Sequence, residues 1–237
     1  MQAIVLAGGF GTRLKSITGD APKPMAMVAG RPFLCWLFEY MAGQGMRDIV
    51  LSLHHQAGVI QSYFGHRYAG INILYSIEAQ PLGTGGAIQL ALKKLKPNNP
   101  VFVLNGDSLV QLNYQEMMAT HVKQNRKATL ATFEVPDCSR YSQLHVKAGH
   151  VYQYDTLGQP SAGLISAGFY VLSPEIFLGH RLGEAFSFER DFLHPYTPAM
   201  LPAYYNGVEY FIDIGVPHDY ARAQVEIPKV ANIIRVA

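Results

Sequence analysis

Hydrophobic positions in the first half of the chain fall into two alternating textures. Short, nearly continuous apolar runs at residues 3–7, 48–54, 71–77 and 100–104 predict strands buried on both faces. Between them, residues 32–42, 56–64 and 84–95 carry apolar side chains at helical spacing. Pro32 suits a first helical turn, and Gly43 and Gly65 suit helix ends. Strand–helix alternation with short joints predicts an α/β fold: a doubly wound, Rossmann-like sheet, mixed but mainly parallel and flanked by helices. Such sheets bind ligands outside the carboxyl ends of their strands.

Beyond this half the pattern changes. Residues 114–125 predict another helix, and 127–135, 142–146, 150–154 and 164–172 predict strands, with Lys147-Ala148-Gly149 as a hairpin turn. A helix at 186–193, a strand at 210–214 and a final helix at 217–225 complete the pattern. No Ser/Gly-rich linker interrupts it, so residues 1–110 and 111–237 are expected to be halves of one domain sharing one sheet. No short-period repeat is present, and no hexapeptide repeat follows residue 226, so a fused β-helix is not expected.

Composition narrows the function. Among 237 residues, 49% are hydrophobic and 15% charged, which suits a globular protein with ample core. The net charge is +2 and no Lys/Arg run exceeds two residues, so the electrostatic footprint of a nucleic-acid binder is absent. No apolar run reaches the roughly 18 residues that span a bilayer, and a membrane partner is not expected. Met1-Gln2 leads straight into a strand-like run, so secretion is not expected. Cys35 and Cys138 form no CxxC pair; the expected compartment is the reducing cytoplasm.

Chemistry concentrates after the first strand, in Gly8-Gly9-Phe10-Gly11-Thr12-Arg13-Leu14. Glycines let a backbone approach phosphates closely and aim successive N–H groups at them. Arg13 adds a planar, multi-donor cation suited to phosphate oxygens. Ten residues on, Pro22-Lys23-Pro24 holds a second cation between two residues of restricted backbone. The segment is not a dinucleotide fingerprint, since Leu14 stands where GxGxxG needs its third glycine, and the chain contains no GxxxxGK[ST] string. His54 and His55 are adjacent on a predicted strand and point to opposite faces, so they do not chelate one ion. Trp36 and Tyr204-Tyr205 read as packing residues.

The glycine loop with Pro22-Lys23-Pro24 resembles the signature GGxGTRLxPxTxxxPKP of the sugar-1-phosphate nucleotidyltransferase family, with Ser16 where many members carry proline. The resemblance implies a loop wrapped around a nucleoside triphosphate, with Leu6, Ala7, Gly8, Gly9, Gly11 and Thr12 at the nucleotide and Arg13 and Lys23 as the catalytic cations. Pro81-Leu82-Gly83-Thr84-Gly85-Gly86-Ala87 resembles the family's PLGTAGA segment. This places Pro81, Gly83 and Thr84 beside base and ribose, with Glu78 within reach of a base edge.

In Leu104-Asn105-Gly106-Asp107 and Phe211-Ile212-Asp213-Ile214-Gly215, the resemblance implies Asp107 and Asp213 as ligands of the cofactor Mg²⁺, with Asn105 and Gly106 beside the sugar. Mg²⁺ takes one or two carboxylates together with phosphate oxygens and water, so two aspartates suffice. Ser166-Ala167-Gly168-Phe169-Tyr170 and Phe186-Ser187-Phe188-Glu189 resemble the NAGIY and FSFE segments, implying a sugar pocket at Gly168 and Glu189.

One family element is replaced. Where many members carry Glu-Lys-Pro, whose lysine grips the acceptor phosphate, this chain reads Gln153-Tyr154-Asp155. Arg140 and Lys147 are the expected substitutes. Within the family the likeness is greatest to bacterial heptose 1-phosphate guanylyltransferases. GTP and a heptose 1-phosphate are therefore the implied partners, and a GDP-sugar for surface polysaccharide is the implied product. Mannose 1-phosphate or glucose 1-phosphate enzymes, and a catalytically weak regulatory protein that binds nucleotide sugars, are the alternatives. A homo-oligomer is left open.

Overall fold

A computed structural model describes residues 1–9, 19, 21–96, 98–155, 158 and 160–235, with side chains as far as residue 230. The first half contains β1 (Gln2–Leu6), the small ribbon β2 and β3 (Met27–Val28, Arg31–Pro32), α1 (Phe33–Gly43), β4 (Asp48–Leu53) and α2 (Ala57–Phe64). It continues through β5 (Arg67–Tyr68), β6 (Ile71–Ile77), α3 (Gly83–Leu92), β7 (Val101–Asn105) and β8 (Ser108–Gln111). The second half adds α4 (Tyr114–Gln124), β9 (Ala128–Val135), β10 (Gln143–Lys147), β11 (His150–Asp155) and β12 (Gly163–Leu172). A π-helical turn (Phe188–Leu193), α5 (His194–Met200), β13 (Ala203–Tyr205), β14 (Tyr210–Asp213) and α6 (Pro217–Arg235) follow.

Ten strands form one sheet in the order β10-β11-β13-β9-β12-β7-β1-β4-β6-β5. Its centre, β7-β1-β4-β6, is parallel, as buried βα units require. β12 then enters antiparallel between β7 and β9 and joins the second half to the first. Alternation along the central strands feeds both faces. Ala3, Val5, Phe102 and Leu104 pack under α1, α4 and α6, whereas Ile4, Val50, Val101 and Val103 pack under α3 and the π-helical turn. Both faces of β1, β4 and β7 are thus covered, but the run at 71–77 differs from its expectation: β6 lies next to the sheet edge and exposes Leu74 and Ile77, so it is buried on one face only. The carboxyl ends of β1, β4 and β7 are left as the place for a ligand.

Local chemistry explains several boundaries. Asn113 caps α4 by accepting from the Gln115 and Glu116 amides, and Asn125 ends it in the left-handed region at φ 49°. At the β10–β11 hairpin, Ala148 and Gly149 take φ of 50° and 83°, as a tight two-residue turn requires.

Other boundaries differ from the sequence pattern. The predicted helix at 186–193 starts at Phe188 as a π-helical turn and runs on into α5. The helix from Pro217 continues past residue 225 to Arg235, through Pro228. The short strands Ser108–Gln111 and Ala203–Tyr205 were not signalled by the pattern. Among the described residues no helix is long and apolar enough to cross a membrane.

Phe102, Tyr114 and Phe169 form a fully buried aromatic triangle with ring centroids 5.1–5.8 Å apart, joining β7, α4 and β12. Phe102→Ala removes its hub and should cost about 3–5 kcal/mol, read as a lower urea midpoint at an unchanged m value.

Candidate active site

A cleft of about 410 Å³ opens at the carboxyl ends of β1, β4 and β7. Its walls include Leu6, Gly8, Gly9, Glu78, Pro81, Gly83, Thr84, Asn105 and Asp107. Ala7 stands behind it, its amide donating to the Ser52 carbonyl at 2.9 Å. The Gly106 amide donates to the Leu6 carbonyl at 2.7 Å, which closes β7 against β1 behind the cleft. Gly11, Thr12 and Arg13 lie outside the described residues.

The structure adds Ser52, His54 and Ala87 to the lining. Ser52 had a legible signal, a polar residue near the carboxyl end of a buried strand. His54 lines the cleft, with Nδ1 3.0 Å from the Glu78 carbonyl oxygen.

Glu78 is almost fully buried and organises the base of the cleft. One carboxylate oxygen accepts from the Ser52 hydroxyl at 3.3 Å and the other from the Leu82 amide at 3.0 Å, at the start of α3. From there the 186–188 segment lies across the helix entry. Phe186 N donates to the Leu82 carbonyl (2.9 Å), Gly85 N to the Phe186 carbonyl (2.9 Å), and Phe188 N to Thr84 Oγ1 (2.8 Å). A Cβ on Gly85 would stand 2.1 Å from the Phe186 ring. This glycine therefore serves the docking of the second half onto α3, and the Thr84 hydroxyl is already engaged there.

The docked segment delivers Glu189. The Tyr170 hydroxyl donates to Glu189 Oε1, and the Ser166 hydroxyl donates to Tyr170 at 3.2 Å. Burial lifts the Glu189 carboxyl above its ordinary value, and the Tyr170 bond opposes this. On the facing strand Gly168 takes φ +66°, where β12 bulges against β9; a Cβ there would meet Asn105 Nδ2 at 2.5 Å.

Three residues from distant parts of the chain converge beside the cleft. Lys23 Nζ donates to Asp107 Oδ2 and to Asp213 Oδ1, the latter at 3.2 Å. Lys23 is fixed in a short 3₁₀ turn, where the Ala26 amide bonds its carbonyl at 3.0 Å. Asp107 and Asp213 come together because β8 pairs with β14 and the Ile214 amide donates to the Asp107 carbonyl at 3.0 Å. Burial, and next the Asp107 charge, push the Asp213 carboxyl above its ordinary value, while Lys23 pulls it down.

The two expected phosphate grips separate. Arg140 lies after the carboxyl end of β9, its Nη1 2.8 Å from Asp219 in the first turn of α6. Its charge also interacts with Asp213. Lys147 pairs with His150, whose neighbour in β13, Ala203, pairs in turn with Thr129 near the start of β9. That is the end of the sheet away from Asp107. Lys147 is the last residue of β10, beside the hairpin turn at the far end of the sheet from the cleft.

Residues 2–230 match the model of the nucleotidyl transferase family. The chain is 40% identical over 229 residues to a D-glycero-α-D-manno-heptose 1-phosphate guanylyltransferase of Aneurinibacillus thermoaerophilus, covering 96% of this chain and 98% of that protein. Its identity to the enzyme of the same name from Campylobacter jejuni is 41%, over 93% of this chain and 97% of that protein. The fold superposes with a TM-score of 0.81 on the crystal structure of HddC from Yersinia pseudotuberculosis complexed with GMP-PN. There the identity is 36%, and the match covers 94% of this chain and 97% of that one.

The half-buried carboxylate of Glu189 carries a stability cost. A folded-state pKa above the unfolded value means that the fold loses stability as pH rises from the unfolded carboxylate range through the raised value. Glu189→Gln keeps an acceptor for Tyr170 and removes the charge. Its thermal midpoint should exceed that of the wild type near pH 7, and the gap should shrink as the pH falls through the raised value to the ordinary range of an unfolded carboxylate, about 4.3. Scanning calorimetry across that range checks it.

Proposed function

The chain belongs to the nucleotidyl transferase family, and on that premise we propose that it transfers GMP from GTP to D-glycero-α-D-manno-heptose 1-phosphate, forming GDP-heptose and releasing pyrophosphate. The observation that carries this reading is the convergence of Lys23 and Asp213 on Asp107, which lines a cleft together with Gly8 and Gly9. A regulatory protein that only holds a nucleotide sugar has no need of that charge cluster.

The acceptor needs no general base. The second pKa of a sugar phosphate is near ~6, as for phosphomonoesters, so its oxygen is already a nucleophile at neutral pH. That oxygen forms the new bond to the α-phosphorus in line, and the bond from the α-phosphorus to the bridging oxygen breaks, so the electron pair leaves with pyrophosphate. Positioning and charge neutralisation supply the catalysis. Lys23 neutralises the α-phosphoryl oxygens, and Arg13 faces the leaving β- and γ-phosphates.

Enzymes of this family use a divalent metal. Asp107 and Asp213, which already share one cation in the Lys23 ammonium, fit Mg²⁺ together with phosphate oxygens and water. When bound, Mg²⁺ would supply neutralisation of the pyrophosphate charge.

Residues 1–110 serve the nucleotide. The Glu78 carboxylate has lone pairs beyond those used by Ser52 and Leu82. They can accept the N1–H and 2-amino groups of guanine, a donor pair that adenine and the pyrimidines do not present. Residues 111–237 serve the sugar, through Glu189 and Gly168, with Asn105 and Gly106 of the first half beside them. Arg140, which keeps donors beyond the one spent on Asp219, takes the acceptor phosphate. A cytoplasmic location gives access to GTP.

Pyrophosphate release from a panel of nucleotides and sugar 1-phosphates tests the reading. GTP with the heptose 1-phosphate should be the preferred pair; faster turnover with dTTP or UTP rejects it. Asp107→Asn and Asp213→Asn should each remove most turnover, and a double variant that keeps both fold and rate would falsify the assignment. Glu78→Gln should cost on the order of tenfold or more in kcat/KM for GTP, about 1.4 kcal/mol per tenfold. Arg140→Ala should raise KM for the acceptor with little change in nucleotide affinity.

A further inference from the structure

Lys23 and the proposed metal compete for the same two carboxylates, and the inference that follows rests on the metal assignment above. The Lys23 ammonium donates to Asp107 and Asp213 at once. All three side chains are largely shielded, with exposures of 15%, 29% and 25%. Two carboxylates held this close in a partly dry site repel each other, and an ammonium between them relieves that. The backbone at Lys23 is pinned by hydrogen bonds between Met25 and Pro22 and between Ala26 and Lys23, while the four-carbon stem above it can swing.

We propose that Lys23 is the resident counter-ion of the metal-free site, and that it yields the two carboxylates to a divalent ion at far lower ion concentration when nucleotide phosphates offer the ammonium a new partner. Charge decides this. Two carboxylates and one ammonium leave a single net negative charge. A divalent ion arriving alone displaces the ammonium from its described ion pairs, and the two carboxylates, the ion and the still-adjacent ammonium together then carry one net positive charge. A triphosphate reverses that sign and accepts the displaced Lys23. Metal and nucleotide therefore bind cooperatively through this side chain, which adds to whatever the phosphates contribute as direct ligands. The same swing carries the ammonium from Asp107 to the α-phosphate, so one residue guards the empty site and then serves the reaction.

Mn²⁺ binding by electron paramagnetic resonance, on the full chain without nucleotide, tests the proposal in the wild type, Lys23→Met and Lys23→Gln. Removing the resident ammonium should tighten Mn²⁺ binding on the order of tenfold or more, with Gln between wild type and Met. Equal or weaker binding in both variants overturns the proposal. An amine-labelling footprint of the wild type separates displacement from mere charge proximity and does not depend on either variant folding. Saturating Mg²⁺ alone should raise labelling of Lys23, and adding a non-hydrolysable GTP analogue should lower it again. Unchanged labelling on metal addition overturns the proposal. If Asp107→Asn and Asp213→Asn bind Mn²⁺ like the wild type, the metal assignment falls as well. If they lose the ion while the Lys23 results are negative, only the counter-ion role falls.

Discussion

The Asp107–Lys23–Asp213 cluster is the interaction around which the rest of the molecule is arranged. An ion pair between exposed groups contributes little to stability, and a buried one costs desolvation that only good geometry repays. Here the geometry comes from three separate devices. Two prolines frame the 3₁₀ turn that holds Lys23, the end of β7 projects Asp107, and the β8–β14 ribbon brings Asp213 back from the far end of the sequence. The parallel pairing of β7 with β1 fixes Asp107, the 3₁₀ turn fixes Lys23, and the antiparallel pairing of β14 with β8 fixes Asp213. The cluster is therefore a product of the whole topology and could not assemble from either half alone.

A second joint links the cleft to Glu189, the proposed sugar ligand. The 186–188 segment lies on the entry of α3 through three hydrogen bonds and the close approach of Phe186 to Gly85. Glu78 grips the Leu82 amide from the other side, so the proposed base contact and Glu189 are separated by a short run of fixed backbone. The raised pKa of Glu189 is the stability sacrificed to keep a carboxylate in that pocket, a common trade at functional positions.

Much of this was legible in the chain, for physical reasons that differ between elements. β1, β4 and β7 are strands buried on both faces, so their apolar runs stand out, and Gly8 and Asp107 mark the strand ends where sheets of this kind bind ligands, whereas β6 is as apolar in sequence yet alternates buried with exposed positions. The Lys147-Ala148-Gly149 turn was readable because it needs positive φ at two successive positions. Other features were not. Ser108–Gln111 and Ala203–Tyr205 are short strands that exist only because a distant partner, β14 or β9, lies alongside. The π-helical turn at Phe188 follows from docking against α3, which no local periodicity encodes. Likewise the sequence favoured Arg140 over Lys147 only for its forked donors, and it is the sheet register that places the two at opposite ends of the strands.

The central claim is that Asp107 and Asp213 hold the metal and Lys23 serves the phosphates in one catalytic centre. Crystals of the protein grown with Mn²⁺ and a non-hydrolysable GTP analogue, measured at the manganese absorption edge, test this most directly. The account predicts an anomalous peak within coordination distance of both aspartates, with the Lys23 ammonium turned from Asp107 to the α-phosphate. A peak elsewhere, with Lys23 still bridging the two carboxylates beside a bound nucleotide, would contradict it.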